Sequence, residues 1–131
     1  MMHTIRLRKP WKRISLGDDT ESRVDVPDLT PVSPSGDAVG LIYERRFNLP
    51  TGLETNSRVR ITVSRWRGVL QNITVNDREV SAEASGTWDP PGLDLDVSSL
   101  LRPHNTLRLM LAGSGDATAL LDGEVSLVIE D

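Results

Sequence analysis

Aliphatic side chains recur at every second position through the stretch 69–111, and this alternation is the clearest pattern in the chain. The alternating positions are Val69, Ile73 and Val75, with Gln71 interrupting the row, then Leu93, Leu95 and Val97, and finally Leu107, Leu109 and Leu111. Successive side chains of a β-strand point to opposite faces of the sheet. A period of two therefore predicts strands with one face in a core and the other in water.

Similar alternation predicts strands on both sides of this stretch. The predicted strands are 5–8, 11–16, 41–49, 58–64 and 124–129, with short extended pieces at 23–26 and 117–121. The segment Gly17–Gly40 is rich in proline, aspartate and serine and is predicted to be a long irregular loop. Eight or nine strands with almost no helix predict an all-β sandwich or barrel, formed as a single domain over residues 1–131.

Three local features predict how the strands are connected. Asn76-Asp77 suits a two-residue hairpin, because both residues tolerate positive φ. Asp96 is predicted to cap the short turn at Ser98–Leu101, in which Leu100 and Leu101 would close one end of the sandwich. Asn105 is predicted to satisfy backbone groups in the turn before the strand 107–111.

Composition narrows the class of protein. Aromatic residues make up only 4% of the 131 residues, so the predicted core is aliphatic. The net charge of −4 gives no reason to expect nucleic acid or an anionic membrane as a partner. Cysteine is absent, which excludes a disulfide framework and cysteine-ligated metal. No apolar run approaches the roughly 20 residues of a membrane span and no leader is visible, so we expect a cytoplasmic protein.

Charge is divided unevenly along the chain. Residues 1–70 contain 12 basic and 8 acidic side chains, whereas residues 71–131 contain 3 basic and 11 acidic ones. In a sandwich the strands of the two halves interleave, so this asymmetry predicts that basic strands pair with acidic ones.

Several segments together resemble a known family. They are Trp11 after the first strand, Val26-Pro27, the strand Tyr43–Pro50 with Arg45 and Phe47, the hairpin Val75-Asn76-Asp77 with Val80, and Asp96–Leu101 followed by Asn105-Thr106-Leu107. In this order they resemble the N-terminal domain of family 2 glycoside hydrolases. The resemblance implies an antiparallel jelly-roll β-sandwich of the galactose-binding-like type, with Trp11, Tyr43, Arg45, Phe47, Asn76, Asp96 and Asn105 as structural residues.

The chain departs from that family where the family contacts sugar. The His-x-Gly-Gly-aromatic segment of the hydrolases is replaced by the segment Ser81–Gly92, which lacks the histidine and the paired glycines. The two catalytic glutamates of the family belong to a separate barrel domain. The resemblance therefore implies a module that is not itself an enzyme.

Trp88 is the strongest candidate for a ligand contact. It lies in the Gly- and Pro-rich loop Gly86–Gly92, where strand packing does not require a large aromatic residue. Its indole, flanked by Asp89 and Glu83, would suit stacking on a sugar ring and hydrogen bonding to hydroxyls. The alternative is that Trp88 folds back and covers the end of the sandwich.

Other candidate sites rest on charge. Trp66 between Arg65 and Arg67 could be exposed with an arginine stacked on it. Arg46, Arg58, Arg60, Arg65 and Arg67 form either a basic strip or a solvated sheet face. Asp18, Asp19, Asp94 and Asp96 could supply oxygen ligands to a structural calcium ion, although their spacing matches no calcium motif. His3 and His104 lie at a terminus and in a turn, without partners for catalysis or metal binding.

Two functions remain open from the sequence. The first is a non-catalytic carbohydrate-binding-like module that uses Trp88, Asp89 and Glu83 and needs no cofactor. The second is a protein-interaction or assembly module that has lost sugar binding and uses a sheet edge or the Gly17–Gly40 segment.

Overall fold

The computed structural model of the chain describes residues 2–17, 19–29, 40–49, 52–53, 55–82, 92–113 and 118–130. Within them the chain forms ten strands and one turn of 3-10 helix, Ser98–Leu100. The strands are β1 Met2–Arg6, β2 Trp11–Ser15, β3 Glu21–Val24, β4 Leu41–Asn48, β5 Arg58–Val63, β6 Val69–Val75, β7 Arg78–Ala82, β8 Leu93–Asp96, β9 His104–Ala112 and β10 Val125–Glu130.

The strands form two antiparallel sheets. One has four strands in the order β1-β10-β5-β8, and the other has six in the order β3-β2-β4-β9-β6-β7. Strands that neighbour each other in a sheet are mostly distant in sequence, as jelly-roll folds require. The predicted all-β sandwich is confirmed, with one strand more than the upper estimate. The segment predicted as irregular, Gly17–Gly40, contains β3, which pairs with β2.

The core is aliphatic and is shared by both sheets. Alternate residues of β5 and β9 are fully buried, as their period of two predicts. One cluster joins Val59, Ile61 and Val63 of the first sheet to Leu107, Leu109 and Leu111 of the second. Trp11, Tyr43 and Phe47 are also buried in this cluster, in agreement with the structural role that the family resemblance implied.

A bulge in β6 corrects one detail of the predicted pattern. The register between β6 and β9 shifts between Leu70 and Asn72, so Gln71 is the inserted residue and is exposed. An inserted residue reverses the side to which the preceding positions point. Leu70 is therefore buried in the core, and Val69, which the alternation had placed there, is only half-buried.

The hairpin between β6 and β7 has the predicted two-residue turn. Asn76 and Asp77 have φ angles of 54° and 66°, which is the conformation of the turn that matches the twist of a hairpin. The Asn76 side chain also reaches outside the turn. Its amide donates to the Leu100 carbonyl and to Asn105 Oδ1, both at 2.9 Å, and its oxygen accepts from the Thr106 N–H at 3.0 Å.

Replacing Asp77 by glycine should stabilise the protein by about 0.5 kcal/mol, because glycine adopts positive φ without steric cost and that gain exceeds the entropy it adds to the unfolded chain. Thermal unfolding followed by circular dichroism would measure the shift in Tm. Asp77→Ala is the matched control and should lower the Tm, because alanine keeps the Cβ atom and lacks the polar side chain that lets aspartate tolerate positive φ. A Tm that falls in Asp77→Gly would contradict the expectation.

Candidate functional site

Two clefts flank the end of β4, and both are lined by Arg45 and Arg46. The first is lined by residues 10–12 and by parts of β3 and β4, and the second by Leu7 and by parts of β1, β4, β9 and β10. Cavities of a few hundred to a thousand Å³ are the usual size of small-ligand sites. These clefts, with volumes of about 570 and 640 Å³, are the candidate sites that the described residues provide.

The face of the six-stranded sheet that points away from the core contributes part of the first cleft. Lys12 pairs in register with Arg23 on one side and with Glu44 on the other. Residues that are directly paired across strands share a face of the sheet, so these three charged side chains form a row. Pro10, Trp11, Glu21, Ser22, Arg45 and Arg46 complete the lining.

The acidic groups of this cleft already have basic partners. Glu44 Oε2 accepts from Arg108 Nε at 2.9 Å, and a Glu21 oxygen lies 4.0 Å from Lys12 Nζ. In contrast, none of the ion pairs formed among the described residues involves Arg23, Arg45 or Arg46; all of them join other residues. The cleft consequently has an excess of uncompensated positive charge.

The Arg45 guanidinium is held by backbone carbonyls. Its Nη1 donates to the Arg46 carbonyl, and its Nη2 donates to the Lys9 carbonyl at 3.2 Å. Its Nε is buried and has no hydrogen-bond partner among the described residues. Burial lowers the pKa of Arg45, but arginine stays charged in proteins. A structural role was predicted for Arg45. Arg45 is also a positive charge that lines both clefts.

The second cleft is lined by apolar and polar side chains together. Ile5, Leu7, Phe47 and Leu127 provide the apolar surface, and Arg45, Arg46, Asn48, His104, Asn105 and Thr106 provide the polar one. Among the polar residues, Asn48 Oδ1 lies 3.0 Å from His104 Nδ1. His104 is therefore placed in a cleft, a position that its turn sequence did not indicate.

A third, smaller cleft of about 360 Å³ surrounds the buried Asp122. Arg67 Nε donates to Asp122 Oδ2 at 2.9 Å, and Arg65 Nε lies 3.5 Å from Oδ1. Trp66 between these arginines is only 8% exposed, which corrects the hypothesis of an exposed indole. Because successive residues of an extended segment point to opposite sides, exposed arginines at 65 and 67 leave the indole between them on the core side.

The five arginines considered as a strip are separated by the fold. Arg46 lies in the six-stranded sheet, whereas Arg58 and Arg60 lie in the four-stranded sheet. Arg60 is paired with both Asp94 and Glu130, and Arg65 and Arg67 bind Asp122. The hypothesis of a basic strip is therefore wrong. Most of these arginines form ordinary ion pairs with acidic neighbours.

Asn105 has the local role that the sequence predicts, whereas Asp96 is not the N-cap of the short helix. Asp96 Oδ1 accepts from the Ser98 hydroxyl at 2.7 Å and from the Ser98 N–H at 2.9 Å, and these hydrogen bonds lower the pKa of Asp96. Val97 occupies the N-cap of the short helix, so Asp96 acts one residue earlier. Asn105 accepts from the Arg102 N–H at 2.8 Å and donates to the Arg102 carbonyl at 2.7 Å.

The predicted ligand contacts Trp88, Asp89 and Glu83 lie outside the described residues, as does Asp18 of the hypothetical calcium site. Within the described part of the chain, no group of three or more histidine or acidic side chains is arranged to hold a metal ion. Among those same residues, no helix is long and apolar enough to cross a membrane.

Sequence reasoning did not single out Arg23, Asn48 or the junction at Arg45-Arg46 as parts of a cavity. The arginine doublet near the end of a strand, together with a proline that interrupts the neighbouring strand, is the pattern that could have indicated it. Neither feature shows from the sequence alone which strands lie side by side.

No protein-family model matches the sequence, and no curated protein matches it either. Solved structures do match its fold, among them the FMN-binding β-glucuronidase of Faecalibacterium prausnitzii L2-6, with a TM-score of 0.76, 20% identity, and coverage of 98% of this chain and 22% of that one. The β-glucuronidase of Bifidobacterium dentium matches with a TM-score of 0.75 and 14% identity, and the match covers 98% of this chain and 30% of that one. The β-D-mannosidase of Dictyoglomus thermophilum matches with a TM-score of 0.73 and 14% identity, and the match covers 95% of this chain and 22% of that one.

This likeness establishes the fold. The chain is a jelly-roll β-sandwich like a domain found in glycoside hydrolases, and the predicted resemblance to the N-terminal domain of family 2 enzymes is confirmed at that level. The chain spans less than a third of the length of each of these enzymes, so it corresponds to one part of them.

Proposed function

We propose that the chain is a non-catalytic carbohydrate-binding module. The observation that carries the proposal is the second cleft, which is lined by apolar and hydrogen-bonding side chains together. Saccharides have both kinds of surface, because their ring C–H groups are apolar and their hydroxyls need hydrogen-bond partners. Jelly-roll domains of similar fold occur in β-glucuronidases and a β-mannosidase, whose names identify them as enzymes that act on glycosides.

The non-catalytic part of the proposal rests on what lines the clefts. Glycoside hydrolysis needs two carboxyl groups at a defined separation across the bond. Among the described residues, both carboxylates that line the first cleft are in ion pairs, and none of those that line the second is acidic. We also keep Trp88, Asp89 and Glu83 as proposed contact residues.

Calorimetric titration of the purified chain against a panel of neutral and acidic oligosaccharides tests the proposal. We expect saturable binding that weakens about threefold to tenfold in Asn48→Ala, because each lost hydrogen bond contributes about 0.5–1.5 kcal/mol. Gln71→Ala, on the exposed bulge of β6, is the matched control and should bind like the parent. Trp88→Ala shows whether the loop 86–92 contributes.

Absence of binding to every saccharide in the panel would overturn the proposal. Binding that weakens in Trp88→Ala and is unchanged in Asn48→Ala would move the site from the second cleft to the loop. Binding that is unchanged in both variants would remove both proposed locations.

One observation favours the second function, an assembly module. β1 is an edge strand whose five residues are all exposed, and its Met2 and Ile5 are 61% and 42% exposed. Exposed edges of this kind can pair with a strand of another chain. Light scattering on the titration sample separates the alternatives, because a strict monomer at all concentrations would argue against self-assembly through β1.

A further inference from the structure

The first cleft contains more positive charge than its own carboxylates neutralise. The Lys12–Glu21 and Arg108–Glu44 pairs account for the two acidic residues of its described lining. Three arginines, Arg23, Arg45 and Arg46, then remain without an acidic partner among the described residues, around a volume of about 570 Å³.

Such an arrangement is costly for a purely structural purpose. Like charges in one cleft repel each other, and Arg45 is partly removed from water, which disfavours its charged form. Its two known hydrogen bonds go to neutral carbonyls, which orient the guanidinium without neutralising it. A guanidinium that is fixed in this way can still offer its remaining N–H groups to an oxyanion.

We infer that the first cleft binds the acidic group of a saccharide, with Arg23 and Arg46 as direct contacts and Arg45 as the fixed cation at its base. Arg46 lines both clefts, so an acidic sugar unit in the first cleft and a neutral unit in the second would belong to one bound chain. This inference rests on the proposed function and specifies the class of saccharide.

The carboxylate is the group that fits best. A carboxylate presents two oxygens in one plane, which match the paired N–H groups of a guanidinium. A neutral hydroxyl in the same place would leave the arginines uncompensated. The cleft should therefore select an acidic saccharide over its neutral counterpart, and the selection should weaken as salt screens the charges.

Titration with tetragalacturonic acid, with its fully methyl-esterified form and with inorganic sulfate tests the inference. The ester is the matched ligand, because it removes the charge and keeps the saccharide. We expect the free acid to bind at least about tenfold more tightly than the ester, and Arg46→Gln or Arg23→Gln to weaken it about tenfold, since hydrogen bonds to charged groups are strong. Both residues are exposed, so these variants should fold.

Arg78→Gln is the matched control, because it removes one exposed positive charge at the opposite edge of the same sheet. It should leave binding of the acid unchanged. If Arg78→Gln weakens binding of the acid as much as Arg46→Gln does, the effect depends only on the net charge of the protein, and the inference is overturned. Sulfate that binds as tightly as the tetrasaccharide would show an anion site without saccharide recognition, which also overturns it.

The failures of the two proposals are distinguishable. If the ester and neutral saccharides bind as tightly as the acid, the carbohydrate-binding function stands and the inferred selectivity is wrong. If no saccharide binds, the proposed function itself is wrong.

Discussion

The Asp28→Ala variant is expected to lose about 3 to 5 kcal/mol of its free energy of unfolding, because it breaks a buried ion pair by removing one partner. The Asp28 side chain is completely buried and its residue is only 1% exposed. Its Oδ2 accepts from Arg13 Nη1 and from the Tyr43 hydroxyl, each at 2.8 Å.

This group joins four parts of the chain. Arg13 comes from β2, Tyr43 comes from β4, and Asp28 follows β3. The Asp28 N–H donates to the Leu121 carbonyl at 2.8 Å, and the Leu121 N–H donates to the Tyr43 hydroxyl at 3.2 Å. Truncation at Asp28 would therefore affect contacts between strands that are far apart in sequence.

The protonation states support the same conclusion. Burial raises the pKa of Tyr43, so its hydroxyl remains a donor. Burial alone would lower the pKa of Arg13, but the charge of Asp28 and its hydrogen bond, together with the smaller contributions of Tyr43, outweigh burial and raise the pKa. Without Asp28, the half-buried guanidinium would keep its charge and lose the carboxylate that compensates it.

Urea denaturation followed by tryptophan fluorescence would measure the loss. Tyr43→Phe is the graded control, and it should cost about 1 to 2 kcal/mol because it removes the hydroxyl and leaves the ion pair intact. Glu21→Ala, which removes an exposed partner of Lys12 at 4.0 Å, should cost less than about 1 kcal/mol. A loss in Asp28→Ala as small as that in Glu21→Ala would contradict the argument.

Features encoded by neighbouring residues were predictable from the sequence. The Asn76-Asp77 turn follows from backbone preference, and the bonds from Asp96 to Ser98 and from Asn105 to Arg102 span only two or three residues. The alternation of apolar and polar residues in β5 and β9 likewise predicted which face of each strand is buried. Each of these predictions depends on chain geometry that is fixed locally.

Features encoded by distant residues were not predictable. Asp28 is one of 19 acidic residues, and nothing near it in the sequence indicates that it meets Arg13 and Tyr43. The first cleft likewise exists because β2, β3 and β4 lie side by side, an order that alternation cannot give. The bulge at Gln71 also escaped prediction, because an isolated polar residue in an apolar row looks the same with or without a bulge.

The uneven charge of the two halves is an intermediate case. Of the eight ion pairs among the described residues, five join a basic side chain before residue 71 to an acidic one after it, and the pair of Arg108 with Glu44 joins the two halves in the opposite sense. Arg60 of β5, for example, pairs with Asp94 of β8 and Glu130 of β10. The prediction that basic strands pair with acidic ones is therefore confirmed for these residues, although composition could not supply the individual partners.

Gly68→Ala should destabilise the protein by about 3 to 5 kcal/mol, through a contact that the sequence also did not show. Gly68 has a φ of +86°, and an added Cβ would lie 2.3 Å from the Ala112 carbonyl oxygen and 3.3 Å from Ala119 Cα. Positive φ costs about 1–2 kcal/mol for a residue with a side chain. The clash adds a further loss, because both neighbours are backbone atoms that can move only with the ladder.

The chain offers a control that separates these two costs. Gly52 has a φ of +81°, and an added Cβ there would meet no atom of the described residues within 4 Å. Gly52→Ala should therefore lose only the conformational cost of about 1–2 kcal/mol. Urea denaturation gives the free energy of unfolding of each variant. The difference between the two losses is the cost of the clash between the corner before β6 and the end of β9, where Val69 pairs with Ala112. Equal losses would show that this approach does not constrain the fold.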